Sequence, residues 1–233
     1  MRPPMIRLTT FEKITLEKWH KIVYTFVQKE GGMYSKIILK KIQSFPEGEP
    51  FVANMFLEIA PYTAIRHTLS RLVKSGHLMR AARGVYVRPK MNRFVGPIPP
   101  SSENIVRLKS EGEMIGITGA EAVQRLGLST QVVLKEIFLT SGRSRKIRLE
   151  NGREILLRHA APRKLMLAGR PAGVALTALW YLGKNGVTTE TIHQIHKRLP
   201  PEEFEILKNE THLMPSWMRQ KLLNSGEEVA CGR

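Results

Sequence analysis

The stretch that most constrains this chain is "YTAIRHTLSRLVKSG", residues 62–76. Its apolar side chains recur at the three- and four-residue spacing of one buried helical stripe: Ile65, Leu69, Leu72 and Val73. Gly76 suits the left-handed residue that commonly follows a helix. We therefore predict an amphipathic helix that ends at about Gly76.

A two-stranded ribbon is predicted directly after this helix. "HLMRAARGVYVRP" favours a strand, a tight turn at Arg83-Gly84 and a second strand closed by Pro89. Upstream, "FVANMFLEIA" predicts a short helix that stops near Pro61, and "YSKIILKKIQSF" predicts a longer one. The apolar face of that longer helix comprises Ile37, Ile38, Ile42 and Phe45. Three short helices followed by a ribbon are typical of a winged helix-turn-helix, which we assign to residues 33–95.

Charge points to a polyanionic partner. Between Tyr62 and Lys90 the chain carries seven lysines and arginines and no acidic residue. The whole chain has 37 Lys and Arg against 20 acidic residues, all of them glutamate, for a net charge of +17. An ordinary solvent-facing helix mixes signs, so a uniformly positive one favours a polyanionic partner. We expect double-stranded DNA rather than a membrane, because no basic amphipathic anchor is apparent. The alternative is a solvated basic face. RNA is disfavoured because no aromatic stacking platform accompanies the charge.

In a winged helix-turn-helix the third helix enters the major groove. The residues expected to read base edges lie toward its start: Thr63, Arg66, His67 and Ser70. Arg66 is the most informative of them, since a guanidinium can pair bidentately with guanine. The cations expected to contact phosphates or the minor groove are Arg71, Lys74 and, on the ribbon, Arg80, Arg83 and Arg88.

Catalysis is disfavoured by the same composition. Metal-dependent nucleases and phosphoryl-transfer enzymes usually hold their cations with Asp-containing clusters, and this sequence has no Asp. His193 and His196 lack a nearby third ligand, and "GRPAG", residues 169–173, lacks the Lys-Ser/Thr ending of a phosphate loop. We expect a non-enzymatic protein with no cofactor or metal; the alternative from another class is a nucleic-acid-processing enzyme.

No membrane span or secretory signal is recognisable. The sequence contains no apolar run of the roughly 18 residues that a span needs. "MRPPMIRLTTFEK" lacks the apolar core of a signal peptide. We therefore expect a cytoplasmic protein.

A proline-rich break, "VGPIPPSS" at residues 95–102, precedes a second domain that we place at 96–233. "RKIRLENGREILLRH" alternates apolar residues around Asn151-Gly152, which predicts a hairpin with a primed turn, and "VVLKEIFLT" predicts a third strand. Helices are predicted over "RPAGVALTALWYLGK", "TETIHQIHKRL", "PEEFEILKNE" and "PSWMRQKLL". The expected fold class is α+β: a winged helix-turn-helix, then a small antiparallel sheet with a helical tail.

Residues 1–32 are assigned no function. Lys-Glu-Gly-Gly before Met33 can be encoded by an AAGGAGG-like run, which would make Met33 the start and the preceding segment translated upstream sequence. A plain linker is the alternative. If ordered, Thr15 to Glu30 could form a helix.

Several motifs in the second half together resemble the AbiEi-like antitoxins of type IV toxin–antitoxin systems. They are "GITGAEAVQRLGLSTQV", "LTSGRSRKIRL" followed by "LRHAAPRKL", and "MPSWMRQKL", while "GVYVRPK" is similar to the family's wing. The likeness runs from about Met33 to Leu223. It implies a winged-helix domain that represses its own operon and a C-terminal antitoxin domain. It also implies a nucleotidyltransferase-like toxin that is neutralised without a tight complex.

For the antitoxin surface we single out a basic set: Arg143, Arg145, Lys146, Arg158, Arg163 and Lys164. A solvated sheet face is the alternative interpretation of the same residues. We therefore predict a DNA-binding antitoxin that represses its own promoter. A stand-alone winged-helix regulator with no toxin partner is the alternative.

Overall fold

The structure is a computed structural model that describes residues 32–131 and 135–230, with side chains as far as residue 224. The chain divides into two compact units. The first comprises residues up to Arg80 and Gly84–Pro99, and the second comprises Ala81–Arg83 and the chain from Pro100 onward. Most of the first 32 residues, including the segment proposed as a helix, lie outside the described part of the chain.

The first unit combines helices with short strands. In chain order it contains α1 (Met33–Ser44), β1 (Pro50–Val52), a 3-10 helix (Ala53–Phe56), α2 (Tyr62–Lys74), β2 (Met79–Ala82), β3 (Val85–Val87), β4 (Lys90–Asn92) and β5 (Gly96–Ile98). The last two residues of β2 fall in the second unit. The three-stranded sheet has the order β1-β3-β2, and β1 runs antiparallel to β3 with Phe51 opposite Tyr86. β4 and β5 form a separate antiparallel pair.

The predicted long helices of this unit are confirmed, and their ends have local causes. α2 buries Ile65, Leu69 and Leu72, as its periodicity indicated. Gly76 adopts a φ of 77°, which lets the His77 amide donate to the Leu72 carbonyl at 2.9 Å and close the helix. On α1 the face differs by one position from the prediction. Ile37 is 40% exposed, and Leu39 is buried instead.

The helix predicted over "FVANMFLEIA" is wrong. Phe51 pairs with β3 and is 1% exposed, packing 5.1 Å from the Phe45 ring and 5.7 Å from the Phe56 ring. This long-range pairing and aromatic packing outweigh the local helical pattern. The segment therefore forms a strand and one 3-10 turn. The ribbon that follows α2 is confirmed as β2 and β3, with Gly84 at a φ of 77° in its turn.

The second unit contains a four-stranded sheet and a helical layer. Its elements are α3 (Ser102–Lys109), β6 (Ile115–Ile117), α4 (Gly119–Arg125), β7 (Ile137–Thr140), β8 (Arg145–Arg148), β9 (Glu154–His159), a 3-10 turn (Pro162–Lys164), α5 (Pro171–Gly186), α6 (Thr189–Arg198), α7 (Pro201–Asn209), a 3-10 helix (Glu210–Leu213) and α8 (Ser216–Ala230). The sheet order is β6-β7-β9-β8. α5 is interrupted at Gly183, where φ is 67°.

The sheet departs from the purely antiparallel expectation at one pairing. β6–β7 and β8–β9 are antiparallel, whereas β7 and β9 run parallel, with Phe138 opposite Leu157. The predicted hairpin is present, but its turn is longer than the two residues expected. The Gly152 amide donates to the Leu149 carbonyl at 3.1 Å, and the Leu149 amide donates to Arg153 at 2.8 Å. Glu150, Asn151 and Gly152 thus form a three-residue loop.

The four predicted helices of the tail are confirmed as α5 to α8. They share one apolar core with α4, in which Leu176, Ile195, Leu207 and Met218 have no exposed surface. The "GRPAG" segment serves this packing. The buried Glu203 carboxylate accepts a hydrogen bond from Arg170 and another from the Ala172 amide at 3.1 Å. These bonds anchor the carboxylate at the first turn of α5.

Candidate nucleic-acid interface

α2 presents a single cationic face to solvent. Its buried residues pack in the core of the first unit, and the residues of α2 that were predicted to contact DNA are all exposed. At about 100° per residue they fall within an arc of roughly 140°, opposite the buried stripe. We call this set the α2 basic face: Thr63, Arg66, His67, Ser70, Arg71 and Lys74.

The helix that carries this face is fixed from behind and at its end. The Ser35 hydroxyl of α1 lies 3.2 Å from the hydroxyl of buried Thr68, which sets the rotation of α2. At the C-terminal end, the Ser75 hydroxyl lies 2.6 Å from Nδ1 of His77. Burial lowers the pKa of His77 below its usual 6.5, so the neutral imidazole is favoured there. The orientation of the face therefore follows from core packing.

Two cations of the α2 basic face have no carboxylate partner in the described part of the chain. No acidic residue occurs in the sequence between Glu58 and Glu103. Among the residues that the structure describes, neither Arg66 nor Lys74 has a carboxylate partner. Their charge is consequently available to an external anion.

The ribbon cations differ from one another. Arg80 on β2 is exposed. Arg88 is instead turned inward, and its side chain is 15% exposed. Its Nη1 donates to the carbonyls of Gln43 at 2.9 Å and Phe45 at 2.8 Å, and its Nη2 pairs with Glu47 at 3.3 Å. The guanidinium thus ties the ribbon to the end of α1, and we correct the prediction that Arg88 contacts DNA.

Arg83, in the turn between β2 and β3, belongs to the second unit. Its side chain is exposed, and its carbonyl accepts a hydrogen bond from Nζ of Lys109 at 2.9 Å. Burial, followed by the charges of Arg83 and Arg145, lowers the pKa of Lys109. The turn residue is therefore engaged through its backbone within the second unit.

The basic set predicted in the second unit divides by surroundings. Arg145 donates to both carboxylate oxygens of Glu113 at 3.0 and 2.9 Å and to the Ser110 hydroxyl at 2.6 Å. The Thr140 hydroxyl also donates to Glu113 at 2.5 Å, and these bonds, Thr140 first, lower the pKa of Glu113. Arg145 is thus part of an internal network that joins β7, β8 and the segment after α3.

The other five basic residues lie on solvated surfaces. Lys146 pairs with Glu154 across the hairpin at 3.4 Å. Arg163 and Lys164 lie 5.5 and 5.1 Å from the indole ring of Trp180, at cation–π distance. Arg143 and Arg158 are exposed. Lys146 and Arg158 are exposed, and their neighbours Ile147 and Leu157 are buried. For these two residues the alternative interpretation, a solvated sheet face, agrees with the structure.

A cationic grouping that sequence reasoning missed also lies in the second unit. Four arginines line one cavity: Arg107, Arg125, Arg170 and Arg198. They come from four separate segments, so no local pattern in the sequence could bring them together. Of the two histidines of α6, His193 and His196, the second packs its ring edge-on against Phe204, with the ring centroids 4.5 Å apart.

Two absences concern only the residues that the structure describes. Within them, no three His, Cys, Asp or Glu side chains lie close enough to hold a metal ion. In the same part of the chain, no helix is long and apolar enough to cross a bilayer.

Comparison with known protein families identifies the family to which the chain belongs. The model of a family of unknown function, DUF6088, matches residues 37–207, and the chain belongs to this family. A search of curated proteins found no match.

Proposed function

We propose that this member of the DUF6088 family is a DNA-binding protein that reads double-stranded DNA through α2. The observation that carries the proposal is the α2 basic face, in which six polar or cationic side chains project opposite a buried stripe. Among the described residues, Arg66 and Lys74 of this face have no carboxylate partner. B-DNA carries one negative charge per roughly 1.7 Å of axis, so such a face is attracted to it whatever the sequence.

The order of elements in the first unit supports a winged helix-turn-helix. A helix, a strand, a 3-10 turn and a second helix precede a hairpin, and the first strand joins the hairpin to give the order β1-β3-β2. In such a domain the 13-residue α2 is the recognition helix, about 20 Å long, and the major groove is about 12 Å wide and admits a helix. The β2–β3 hairpin is the wing, where Arg80 is positioned for the DNA backbone.

Within α2 the roles divide along its length. Thr63, Arg66, His67 and Ser70 lie in the first two thirds and contact base edges, with Arg66 pairing bidentately with guanine. Arg71 and Lys74 lie in the last turn and bind phosphates, which fix register without reading sequence.

For biological role we propose a non-enzymatic antitoxin of the AbiEi-like kind, which represses its own operon and counteracts a nucleotidyltransferase-like toxin without a stable complex. The sequence motifs between Gly116 and Leu222 support this role. The DNA-binding proposal does not depend on it, because a stand-alone regulator would use the same α2 basic face. Co-expression with the product of the adjacent gene separates the two: rescue of growth supports the antitoxin, and continued toxicity supports the regulator.

The direct test compares three single variants on a cognate and a shuffled duplex. Arg66→Ala should weaken cognate binding by about 1–3 kcal/mol and relax specificity at one base pair. Lys74→Ala should weaken both duplexes alike and lower the slope of log affinity against log salt by about one. Lys40→Ala removes an exposed lysine from α1 and serves as the matched control. Equal effects of Arg66→Ala and Lys40→Ala on the cognate duplex would contradict the proposed role of α2.

A further inference from the structure

The second unit contains a cavity with an apolar floor. Its volume is about 320 Å³, within the lower range of small-molecule sites. The floor is built by side chains of β6, β7 and the helical layer: Ile115, Ile117, Leu126, Phe138, Leu165, Val174 and Leu199. An apolar surface of this kind accommodates a hydrocarbon or aromatic group and gains from excluding water.

The arginines around this floor are not equivalent. Arg107 pairs with Glu103 at 2.8 Å, Arg125 pairs with Glu121 at 2.6 Å, and Arg170 pairs with Glu203 at 2.8 Å. Arg198, at the end of α6, has no carboxylate partner among the residues that the structure describes. Within the described part of the chain, the charge of the Arg198 guanidinium is therefore not compensated by a carboxylate.

The position of Arg198 is defined by the backbone beneath it. Its guanidinium lies over Gly127, where an added Cβ would stand only 2.8 Å from the nearer Nη atom. Gly127 also has a φ of 64°, a conformation that favours glycine. A bare glycine under the guanidinium lets Arg198 lie close against the chain at the edge of the cavity.

A second polar group also faces the cavity. Thr177 lines it and is 7% exposed. Within the described ranges, its hydroxyl has no hydrogen-bond partner. Because its oxygen is not itself a buried atom, the hydroxyl is open to the cavity. Thr177 thus marks a position where a bound molecule can accept or donate a hydrogen bond.

We propose that this cavity binds a small organic anion with an apolar body. The anionic group, a carboxylate or a phosphate, is held by Arg198, because a guanidinium offers two parallel donors to either. The apolar body occupies the floor, and a polar substituent meets Thr177. This site is separate from the α2 basic face, and its existence does not rest on DNA binding.

Binding of fluorescent probes to the full chain tests the site. Anilinonaphthalene sulfonate supplies two aromatic groups and one anion, and N-phenylnaphthylamine supplies similar aromatic groups without the charge. We expect saturable binding of the sulfonate at one site per chain. Phenyl phosphate and phenylacetate are then added as competitors, and the one that displaces the probe at lower concentration identifies the preferred anionic group.

The variants separate this site from other apolar surface. Arg198→Met should weaken the sulfonate about tenfold, the loss expected for one charge-assisted bond, and leave the neutral probe unchanged. Arg158→Met removes an exposed arginine from β9 and is the matched control. Val174→Trp fills the cavity and should abolish binding of both probes, with circular dichroism to show that the fold is retained. Equal sulfonate affinity for Arg198→Met and Arg158→Met, or no displacement by either competitor, would overturn the proposal.

Discussion

Gly173 offers a sharp test of the packing at the start of α5. A Cβ built on this residue would lie 1.9 Å from the Leu167 carbonyl oxygen and 2.5 Å from its carbon. Ordinary contact begins at 3.4 Å. Gly173→Ala therefore forces α5 and the segment before it apart by about 1.5 Å, since a carbon–oxygen overlap of that size is strongly repulsive. Neither atom belongs to a flexible side chain that could move aside.

Two effects of opposite sign decide the magnitude. Gly173 is the third residue of α5, and alanine is favoured over glycine in a helix by at most about 1 kcal/mol. Overpacking a tight site costs about 1–3 kcal/mol or more, and here the displacement also disturbs the bond between the Ala172 amide and Glu203. We expect a net loss of about 2 kcal/mol, which corresponds to a drop of roughly 5 °C in Tm for a unit of this size.

Urea unfolding followed by tryptophan fluorescence is a suitable assay, because Trp180 and Trp217 both lie in the second unit. Gly186→Ala is the matched control. It lies near the other end of α5, where an added Cβ meets only Leu182 at 3.4 Å, an ordinary contact. We expect the control to be neutral or slightly stabilising. If Gly173→Ala is as stable as Gly186→Ala, the described packing of α5 is wrong.

Three further predictions concern titratable and charged groups. Because burial lowers the pKa of His77, protons bind the unfolded chain preferentially. The free energy of unfolding should therefore fall as pH drops below about 6.5, and it should fall less in His77→Gln. Urea unfolding from pH 7.5 to 5.5 measures both. The pKa of Glu113 is also lowered, so its contribution to stability is present above about pH 4.5 and is lost below it. Glu113→Gln should therefore flatten the loss of stability on the acid side of the plot of stability against pH. Arg145→Met should reduce Tm, since Glu113 and Ser110 lose the hydrogen bonds that the guanidinium donates to them. Arg158→Met should leave Tm within error, and differential scanning calorimetry measures both.

The features that sequence predicted well are those set by local pattern. The stripe of Ile65, Leu69 and Leu72 and the helix-ending Gly76 specify α2 without reference to the rest of the chain. The exposed α2 basic face follows from the same periodicity. The order of helices in the tail was likewise predictable, because each has its own turn or proline at the boundary.

The features that sequence did not predict depend on partners far along the chain. Phe51 forms a strand because β3 lies opposite it, and α2 intervenes between the two. Arg88 resembles the other ribbon cations in sequence, yet its acceptors are carbonyls 43 and 45 residues away. The β4–β5 pair lies within and beside the proline-rich break that indicated only a linker. In the parallel β7–β9 pairing, β9 lies between β7 and β8. A hairpin pattern in the sequence shows that β8 pairs with β9 but does not show which other strand β9 contacts.

DNA recognition by α2 is the central claim, and one measurement tests it most directly. Fluorescence anisotropy across a salt series would compare binding to the duplex upstream of the protein's own gene with binding to a shuffled duplex of equal length. We expect tighter binding to the upstream duplex, with affinity for both falling steeply as salt rises. Equal, salt-sensitive affinity for the two duplexes would reduce the α2 basic face to a general electrostatic contact, and no binding to either would contradict the account.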